Sequence, residues 1–490
     1  MTGASGHDVQ ARMRWSLHAL CDAVDRFGGP PARPITAEVR RTLDEKIRVA
    51  VVGRVKAGKS TLVNALIGKR VAPTSERECT KITTHYRFGS PERGELVLRD
   101  GKRLELPLDG GSLPEDLPVD VTEVAHAVIW LQVDSLEDII LIDTPGLATT
   151  TTENEETTRR ALLGHDGARQ ADALLYVFHN VPYLDDVSFL QEWATVTDKP
   201  GESAASAIGI LSHADQVGGS PWGDDDPIEL AKKQAVGIAK LHGAQLGTVI
   251  PVAGLMAASA ATGLIRERDA RTLAKLADVD DFDLELRDPN DTDAEFAGVS
   301  GTEVQNLVGL VGEYGLRYGR SVASEGSRAV SEWLRERSGI ETLERSLRER
   351  YIARSHFVKA RSSLNTLERL AWSWGAPPKL KELVAEARLR EEFHPLRELD
   401  ALERLAAVAP HHELVQLLDL QLSARDDAER IGVPGASPDA VSKAALMRVA
   451  QARRAMLVTS APIVQHACRT LERSFTIIAR RNQQQERAGE

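Results

Sequence analysis

The sequence predicts an α/β domain, with a mainly parallel sheet and flanking helices, followed by an extended all-α bundle. Short apolar runs alternate with helical stretches over residues 47–268, as buried parallel strands and crossover helices do. After residue 299 such runs stop, and apolar residues instead recur every three or four positions. Aromatic residues make up only 4% of the 490 residues, which also favours helices over an all-β fold.

Composition and charge exclude several classes of protein. The net charge of −11 argues against a broad nucleic-acid-binding face, so we expect no nucleic-acid partner. Three widely spaced cysteines, Cys21, Cys79 and Cys468, predict neither a disulfide framework nor a zinc site. Neither a signal peptide nor a membrane span is recognisable. We therefore expect a cytoplasmic protein whose contact with any membrane is peripheral.

The chain order predicts four regions. Residues 1–46 should form two helices that pack with the later bundle, since Val9, Met13 and Leu17 begin an apolar stripe that FGGPPARP interrupts. Residues 47–268 should form the α/β domain. Nine carboxylates in residues 278–295 predict a solvated acidic linker over residues 269–298.

Residues 299–490 should then form the helical bundle. One apolar stripe over residues 340–374 predicts a long helix that WSWGAPP ends, with a returning helix from Lys379. Ser437 followed by Pro438 predicts a helix start, and Pro462 a kink or a division.

The strongest motif is the segment GRVKAGKS at residues 53–60, which follows the apolar strand IRVAVV and precedes a helix. Its GxxxxGKS spacing is that of a phosphate-binding P-loop, in which lysine meets the β- and γ-phosphates and the serine hydroxyl binds Mg²⁺. We therefore assign Lys59 to the phosphates and Ser60 to Mg²⁺. The predicted nucleotide-binding residues are Gly53, Arg54, Lys56, Ala57, Gly58, Lys59, Ser60 and Thr61.

A second motif, Asp143-Thr144-Pro145-Gly146, ends the apolar run DIILI. A carboxylate at the carboxyl end of a strand can hold Mg²⁺ through water, so Asp143 is a predicted metal residue. Gly146 can donate its amide to a γ-phosphate.

The base should be recognised at later strand ends. The segment ILSHAD at residues 210–215 occupies the place of the Asn/Thr-Lys-x-Asp sequence of GTPases, and Asp215 can accept hydrogen bonds from guanine N1 and N2. His213 replaces the usual lysine, and its imidazole can stack on the base. A helix cap is the alternative role for Asp215. Ala253, after the strand TVIPV, is the predicted contact to the opposite edge of the base.

The segment that senses the γ-phosphate must lie between the P-loop helix and the next strand, within residues 72–84. One threonine there should bind Mg²⁺ and position the attacking water. We favour Thr80 over Thr83 and Thr84, and a structural turn is the alternative for each.

Together, GRVKAGKST, APTSERECT, DTPG and SHADQVG resemble the dynamin superfamily, and most closely the bacterial dynamin-like proteins, including the isoniazid-inducible type. The motifs cover residues 53–215. The resemblance implies a P-loop GTPase domain with a helical neck and trunk, which hydrolyses GTP to GDP with Mg²⁺. It also implies self-association through GTPase domains, or with a related dynamin-like protein, and remodelling of an anionic membrane surface at the inner face of the cell membrane.

Lys56 departs from the family pattern, because many dynamins have a serine there that helps bind a monovalent cation. A lysine ammonium turned toward the phosphates would supply that charge itself, and Lys56 is therefore a candidate catalytic residue. The alternative is a lysine that points to solvent or to a partner subunit.

Two functions of other classes compete with membrane remodelling: a regulatory or assembly GTPase that does not act on membranes, and a nucleotide-binding scaffold. If a membrane is the target, a turn between helices should contact it. Our first candidate is the Trp372 turn, residues 372–378, with Trp372 and Trp374 and the flanking Lys379 and Lys381, because tryptophan prefers the headgroup zone and cations favour anionic lipid. Trp374 could instead plug the bundle, and residues 425–438 are a second candidate.

Overall fold

The computed structural model describes residues 6–73, 82–114, 116–146, 159, 162–163, 171–197, 207–243, 245–409 and 412–489. Two helices come first, and their ranges match the predicted pair: α1 (Gly6–Gly28) and α2 (Arg33–Asp44). Met13 and Leu17 of α1 are fully buried, because the stripe that they begin faces the rest of the protein.

A nine-stranded sheet forms the centre of the α/β domain, in the spatial order β4-β3-β5-β2-β6-β1-β7-β8-β9. The strands are β1 (Ile47–Gly53), β2 (Thr84–Phe88), β3 (Arg93–Leu98), β4 (Arg103–Leu106), β5 (Val124–Leu131), β6 (Ile139–Asp143), β7 (Ala173–Phe178), β8 (Ala207–Ser212) and β9 (Thr248–Val252). Adjacent strands from β6 to β9 in this order are all parallel. The other edge is mixed, since β2 is antiparallel to β6 and β3 is antiparallel to both β5 and β4.

Helices cover this sheet, and one of them follows the P-loop. They are α3 (Lys59–Ile67), α4 (Leu184–Thr197), α5 (Pro227–Leu241) and α6 (Gly254–Ala261). All seven residues of β1 are buried, as a central strand covered on both faces requires. Because β1, β6, β7, β8 and β9 run in the same direction, their carboxyl ends meet at one edge, where open α/β sheets bind ligands.

The acidic segment, expected to be a solvated linker, is folded. It includes most of α7 (Glu267–Lys275), then α8 (Asp281–Glu285) and a hairpin of β10 (Glu295–Phe296) and β11 (Val299–Ser300). Leu276 and Leu284 are fully buried in a core that also contains Met256 and Leu334. Carboxylates here also have partners, since Asp281 pairs with Arg317 at 2.9 Å. The number of carboxylates in this segment did not by itself reveal that a buried core lies beneath it. The domain boundaries remain predictions.

Helices make up the chain from residue 301 onward, with short irregular turns between them. They are α9 (Gly301–Tyr318), α10 (Ser327–Arg337), α11 (Ile340–Leu347), α12 (Ser355–Trp372), α13 (Pro378–Leu389), α14 (His394–Val408), α15 (Glu413–Ser423), α16 (Asp427–Ile431), α17 (Pro438–Val458) and α18 (Pro462–Gly489). Ser437 caps α17 through its hydroxyl, and Pro462 opens a new helix, so both sequence signals are confirmed.

The long helix predicted over residues 340–374 is divided. A π-helical turn at Arg348–Ile352 and a non-helical Arg354 separate α11 from α12. Leu347, Tyr351 and Phe357 are all buried on the two sides of this division, so the predicted apolar stripe is kept although the helix is not continuous.

Two cores hold the helices. The first is continuous with the sheet: α1, α2, α12 and α13 pack together and share a cluster with β1 residues such as Val49 and Val51. The second belongs to α14–α18, in which α17 and α18 form a long antiparallel hairpin. Within the described residues, no helix combines the length and the apolar character needed to cross a bilayer.

Candidate functional site

The P-loop follows β1 and ends at α3, as predicted. Gly53 has a φ of +156°, and a Cβ on it would lie 2.2 Å from the Val177 carbonyl oxygen, so only glycine fits. The Lys59 ammonium is buried and donates a hydrogen bond to the Arg54 carbonyl oxygen at 2.8 Å. Burial lowers the pKa of Lys59, and the nearby Asp143 opposes that effect. The loop therefore holds a buried cation against a backbone carbonyl at the carboxyl edge of the sheet.

Ser60 and Asp143 meet at this edge, because β6 pairs with β1 and aligns Asp143 with Val51. The Ser60 hydroxyl donates to Asp143 Oδ2 at 3.2 Å, whereas Asp143 Oδ1 is buried with no hydrogen-bond partner among the described residues. Burial raises the pKa of Asp143 to about 6. A hydroxyl and an orphaned carboxylate oxygen fit Mg²⁺, which prefers oxygen ligands and few protein groups. The described part of the chain contains no cluster of three or more His, Cys, Asp or Glu side chains suited to a metal.

Gly146 brings the second motif against the P-loop. A Cβ on Gly146 would lie 2.8 Å from the Val55 amide nitrogen, so a side chain there would collide with the loop. Thr144 anchors the same segment by donating from its hydroxyl to the Val51 carbonyl oxygen at 2.8 Å. The predicted amide donor therefore lies beside the predicted phosphate-binding loop.

His213 and Asp215 follow β8 and lie near the P-loop. His213 has a left-handed backbone with φ of +53°, and its Nε2 lies 3.8 Å from the position of a Cβ on Gly58. Burial, and next the neighbouring His179, lower the pKa of His213, which favours a neutral ring. Asp215 is 5% exposed, and burial raises the pKa of its carboxyl. The imidazole of His213 and the buried carboxylate of Asp215 thus follow β8, in the places that GTPases give to a lysine and an aspartate.

Ala253 is buried at the end of β9, and its amide donates to the Ser338 carbonyl oxygen at 2.9 Å. Gly254 begins α6, and a Cβ on it would lie 3.6 Å from Thr61 Cγ2 of the P-loop helix. The predicted base-contacting segment is therefore adjacent to the P-loop. The contact with Ser338, from the helical half, was not foreseen.

The predicted γ-phosphate sensor, Thr80, lies outside the described residues. Thr84 opens β2 and pairs in register with Asp143, and its hydroxyl donates to the Ile82 carbonyl oxygen at 3.3 Å. Thr83 is partly buried immediately before this strand. The choice among the three threonines stays a prediction.

Arg54 and Lys56 are two predicted nucleotide-binding residues. The Arg54 side chain faces away from the predicted position, and the Lys56 side chain is exposed. The Arg54 guanidinium donates to Asp186 Oδ1 at 3.1 Å and stacks on the Tyr183 ring at 4.2 Å, so only its backbone belongs to the Lys59 contact. Lys56 is exposed and has a φ of +62°. Sequence reasoning missed Asp186, which also accepts from the Tyr176 hydroxyl at 2.7 Å, because no motif distinguishes it from other helix-start carboxylates.

The Trp372 turn joins α12 and α13. Trp372 is 67% exposed and Trp374 is fully exposed, so Trp374 does not plug the bundle. The apolar stripe ends before it, at the buried Ala371. Lys381 lies 4.6 Å from the centre of the Trp372 ring, and Lys379 pairs with Glu382 at 2.7 Å.

The second candidate, residues 425–438, contains α16. Its largest apolar side chain, Ile431, is 3% exposed and packs in the second helical core, that of α14–α18. Insertion of Ile431 into lipid would therefore require local unpacking of the bundle, which disfavours this segment.

The structure reveals a third surface, the distal tip, formed by the end of α14 and the turn between α17 and α18. His394 contacts Ser474 at 3.0 Å and Asp400 lies 3.4 Å from His466, so α14 and α18 are antiparallel and their tip ends coincide. The exposed apolar side chains of the tip are Val408 (69%), Leu457 (83%) and Val458 (88%).

The distal tip is also cationic. Between Ala440 and Leu471 the sequence has five lysine or arginine residues and no aspartate or glutamate, in a chain with net charge −11. Arg453 and Arg454 lie one helical turn before Leu457, and Arg453 pairs with Glu472 at 2.7 Å. This run without carboxylates is the sequence signal that could have identified the tip.

Comparison with known proteins gives consistent matches. A family model described as "Dynamin family" matches residues 49–212. The isoniazid-induced protein IniC of Mycobacterium tuberculosis is 30% identical over 497 residues, which cover 94% of this chain and 97% of the relative. The bacterial dynamin-like protein of Nostoc punctiforme is 30% identical over 122 residues, or 22% of this chain and 18% of that protein. A solved oligomerised bacterial dynamin pair has 12% identity and a TM-score of 0.34 over 95% of this chain and 90% of its own. At 30% identity, the mycobacterial relative and this chain match over nearly their whole lengths.

Proposed function

The chain belongs to the dynamin family, and on this basis we propose that it binds and hydrolyses GTP with Mg²⁺ and couples this cycle to binding and remodelling of an anionic membrane. The observation that supports hydrolysis best is the meeting of Lys59, the Ser60–Asp143 pair and Asp215 at one edge of the sheet. These groups come from β1, β6 and β8, whose shared direction puts their ends together.

Each residue has a defined task in this proposal. Lys59 meets the β- and γ-phosphates, and its burial strengthens that attraction because little water screens it. Ser60 and Asp143 hold the metal, which when bound neutralises phosphate charge. The Gly146 amide donates to the γ-phosphate, and Thr80 binds the metal and orients water. Asp215 reads guanine, His213 covers the base, and Lys56 supplies the charge that relatives obtain from a monovalent cation.

Lys59→Ala tests this site. We expect it to reduce Mg²⁺-dependent GTP hydrolysis by several orders of magnitude, because no other described ammonium in the loop is buried beside Asp143. A matched control is Lys69→Ala, which removes an ammonium paired with Glu92 at 2.8 Å near the end of α3. Phosphate release should be measured for both. Wild-type turnover by folded Lys59→Ala would contradict the assignment.

We propose the distal tip as the membrane contact. Exposed Val458 and Leu457 can enter the interface shallowly, and each nearby cation gains about 1 kcal/mol at an anionic leaflet. The Trp372 turn is the competing candidate, since Trp372 and Trp374 are exposed. One cation is already paired with a carboxylate at each site, Lys379 at this turn and Arg453 at the tip. Under either candidate the protein is cytoplasmic and peripheral at the inner face of the membrane, and it associates through its GTPase domains.

Liposome co-sedimentation, with and without GTP, separates the candidates. Leu457→Ser with Val458→Ser should reduce binding to anionic vesicles severalfold without changing the melting temperature, because both side chains are exposed. Trp372→Ala with Lys379→Ala and Lys381→Ala tests the other turn. Leu241→Ser is the matched control, an equally exposed leucine (77%) on α5. Absence of vesicle binding by the unmodified protein would favour a regulatory GTPase or a scaffold.

A further inference from the structure

Helix α9 is broken at Gly312. This residue has φ of +71° and ψ of 173°, which interrupts the helical path between Val311 and Glu313. Only glycine adopts such a backbone readily, and departures of this kind are kept where the surroundings hold them in place. The break lies in the helical half, about a hundred residues after Asp215, and belongs to no nucleotide-binding motif.

The break faces the predicted base-binding carboxylate. A Cβ built on Gly312 would lie 3.3 Å from Asp215 Oδ2 and 3.9 Å from Leu255 Cδ2. A carbon at 3.3 Å is closer than an ordinary contact, so any side chain at position 312 would push the Asp215 carboxylate. Asp215 is 5% exposed, and the α9 backbone is therefore one wall of the space that holds this carboxylate.

Neighbouring side chains hold the break. The carbonyl oxygen of Leu310 accepts a hydrogen bond from the buried Ser259 hydroxyl of α6 at 2.6 Å. On the other side of the break, Glu313 accepts from Trp222 Nε1 at 3.2 Å and pairs with Arg287. These contacts come from α6, from the segment after β8 and from the acidic segment.

A second contact links the helical half to the base site. The turn between α10 and α11 presents the Ser338 carbonyl oxygen to the Ala253 amide at 2.9 Å. In this turn Gly339 has φ of +80°, and a Cβ on it would lie 2.3 Å from the Pro251 carbonyl oxygen. Helices that follow the α/β domain thus touch both segments predicted to recognise the base.

We propose that Gly312 is a positioning residue for guanine recognition: the break in α9 sets the orientation of the Asp215 carboxylate, and α9 to α11 form part of the base-binding pocket. This inference rests on the proposed nucleotide-binding function. It predicts that guanine affinity depends on a residue that touches no nucleotide. The phosphate site, formed by β1 and α3, should not depend on it.

The test is Gly312→Ala, with binding of fluorescent GTP and ATP analogues measured separately. We expect GTP affinity to fall at least tenfold while ATP affinity stays within twofold, because adenine does not use the Asp215 carboxylate. A general loss of structure would weaken both nucleotides equally. The matched control is Gly309→Ala on the same helix, where a Cβ has nothing within 4 Å; both affinities should stay at wild-type values.

If Gly312→Ala fails to fold, Ser259→Ala replaces it, since this variant frees the Leu310 carbonyl and adds no atom. A severalfold loss of GTP affinity alone supports the proposal. Wild-type GTP affinity in a folded Gly312→Ala, or in Ser259→Ala, overturns it and leaves the nucleotide-binding function intact. An unmodified protein with equal affinity for GTP and ATP would overturn the guanine function and this inference together.

Discussion

At the proposed nucleotide site, two opposite charges lie out of bulk water: the Lys59 ammonium and the Asp143 carboxylate. Burial lowers the pKa of the first and raises that of the second to about 6, and each is partly offset by the other. Burial of a charge is costly unless partners satisfy it. Bound phosphates and a divalent cation would supply those partners. Burial of these two charges therefore favours ligand binding at this site.

For Asp215, we expect guanine to be preferred over adenine by roughly 2–3 kcal/mol, since adenine would leave the buried carboxylate unpaired. Asp215→Asn should remove most of this preference and improve binding of xanthosine triphosphate, whose ring presents an acceptor to the new amide. Competition binding with GTP, ATP and xanthosine triphosphate measures all three affinities. An unchanged GTP preference in Asp215→Asn would assign this residue to a structural cap instead.

His356 provides a test of stability against pH. Its Nε2 is buried without a partner among the described residues, and burial lowers the pKa of the ring from 6.5 to about 4. Between these values the unfolded chain binds a proton that the folded chain does not. The free energy of unfolding should therefore fall on acidification from pH 6.5 to 4, by at most about 1.4 kcal/mol per pH unit.

The variant His356→Gln isolates this contribution, because it stays neutral throughout that range. Urea denaturation at pH 7, 6 and 5 should give a stability difference between the two proteins that shifts in favour of the variant as pH falls. Other buried histidines are common to both proteins and cancel. A difference independent of pH would show that His356 titrates normally.

Between elements, a buried ion pair connects the sheet to the N-terminal helices. Arg48 of β1 donates to Asp172, just before β7, from Nε at 3.1 Å and Nη2 at 3.0 Å. Glu38 of α2 lies 3.5 Å from the same guanidinium. Arg48 and Asp172 are 4% and 1% exposed. This pair therefore fixes α2 against two central strands, next to the buried Lys359 of α12.

We expect Asp172→Ala to destabilise the protein by about 3–5 kcal/mol, because the buried Arg48 guanidinium then keeps the more distant Glu38 carboxylate and the Thr42 hydroxyl but loses its closest charged partner. The double variant Arg48→Met with Asp172→Leu should lose much less, since it removes both charges and keeps most of the volume. Urea unfolding of the three proteins measures the difference. Equal losses in the single and double variants would show that packing, and not the buried charge, dominates.

At the scale of the whole molecule, charge is unevenly distributed. The chain carries a net charge of −11, yet the region from Ala440 to Leu471, which contains the turn of the distal tip, is positive. An acidic body is repelled by an anionic surface and a cationic tip is attracted to it. The long hairpin of α17 and α18 would thus point toward such a surface and hold the nucleotide site away from it.

Vesicle binding should consequently depend on salt. Raising NaCl from about 0.05 M to 0.5 M shortens the screening length severalfold, and we expect binding to anionic vesicles to fall by at least tenfold. Binding to neutral vesicles should be weak and nearly independent of salt. Co-sedimentation at both salt concentrations tests this. Equal binding to neutral and anionic vesicles would mean that the apolar residues act without the cations.

Local sequence patterns were sufficient to predict much of the fold and of the candidate site. The P-loop, Asp143 and the apolar strand runs are contiguous in sequence, and their chemistry depends on spacing that a sequence displays directly; the family resemblance they predict is confirmed by the whole-length relative. The helix starts marked by Ser437 and Pro462 are local in the same way. Long helices were harder, because the π-helical turn at Arg348–Ile352 depends on which side chains the neighbouring elements bury.

Three features were decided by tertiary structure alone. The contact of Gly312 with Asp215, the folded core beneath the acidic segment and the coincidence of Val408 with Val458 at one tip each join residues that are distant in the chain. No local sequence preference encodes such contacts. They depend on how helices and strands, whose backbone hydrogen bonds are already made, pack against each other. The sequence by itself determined which chemistry the chain carries, and packing decided which distant residues orient it and which surfaces remain exposed.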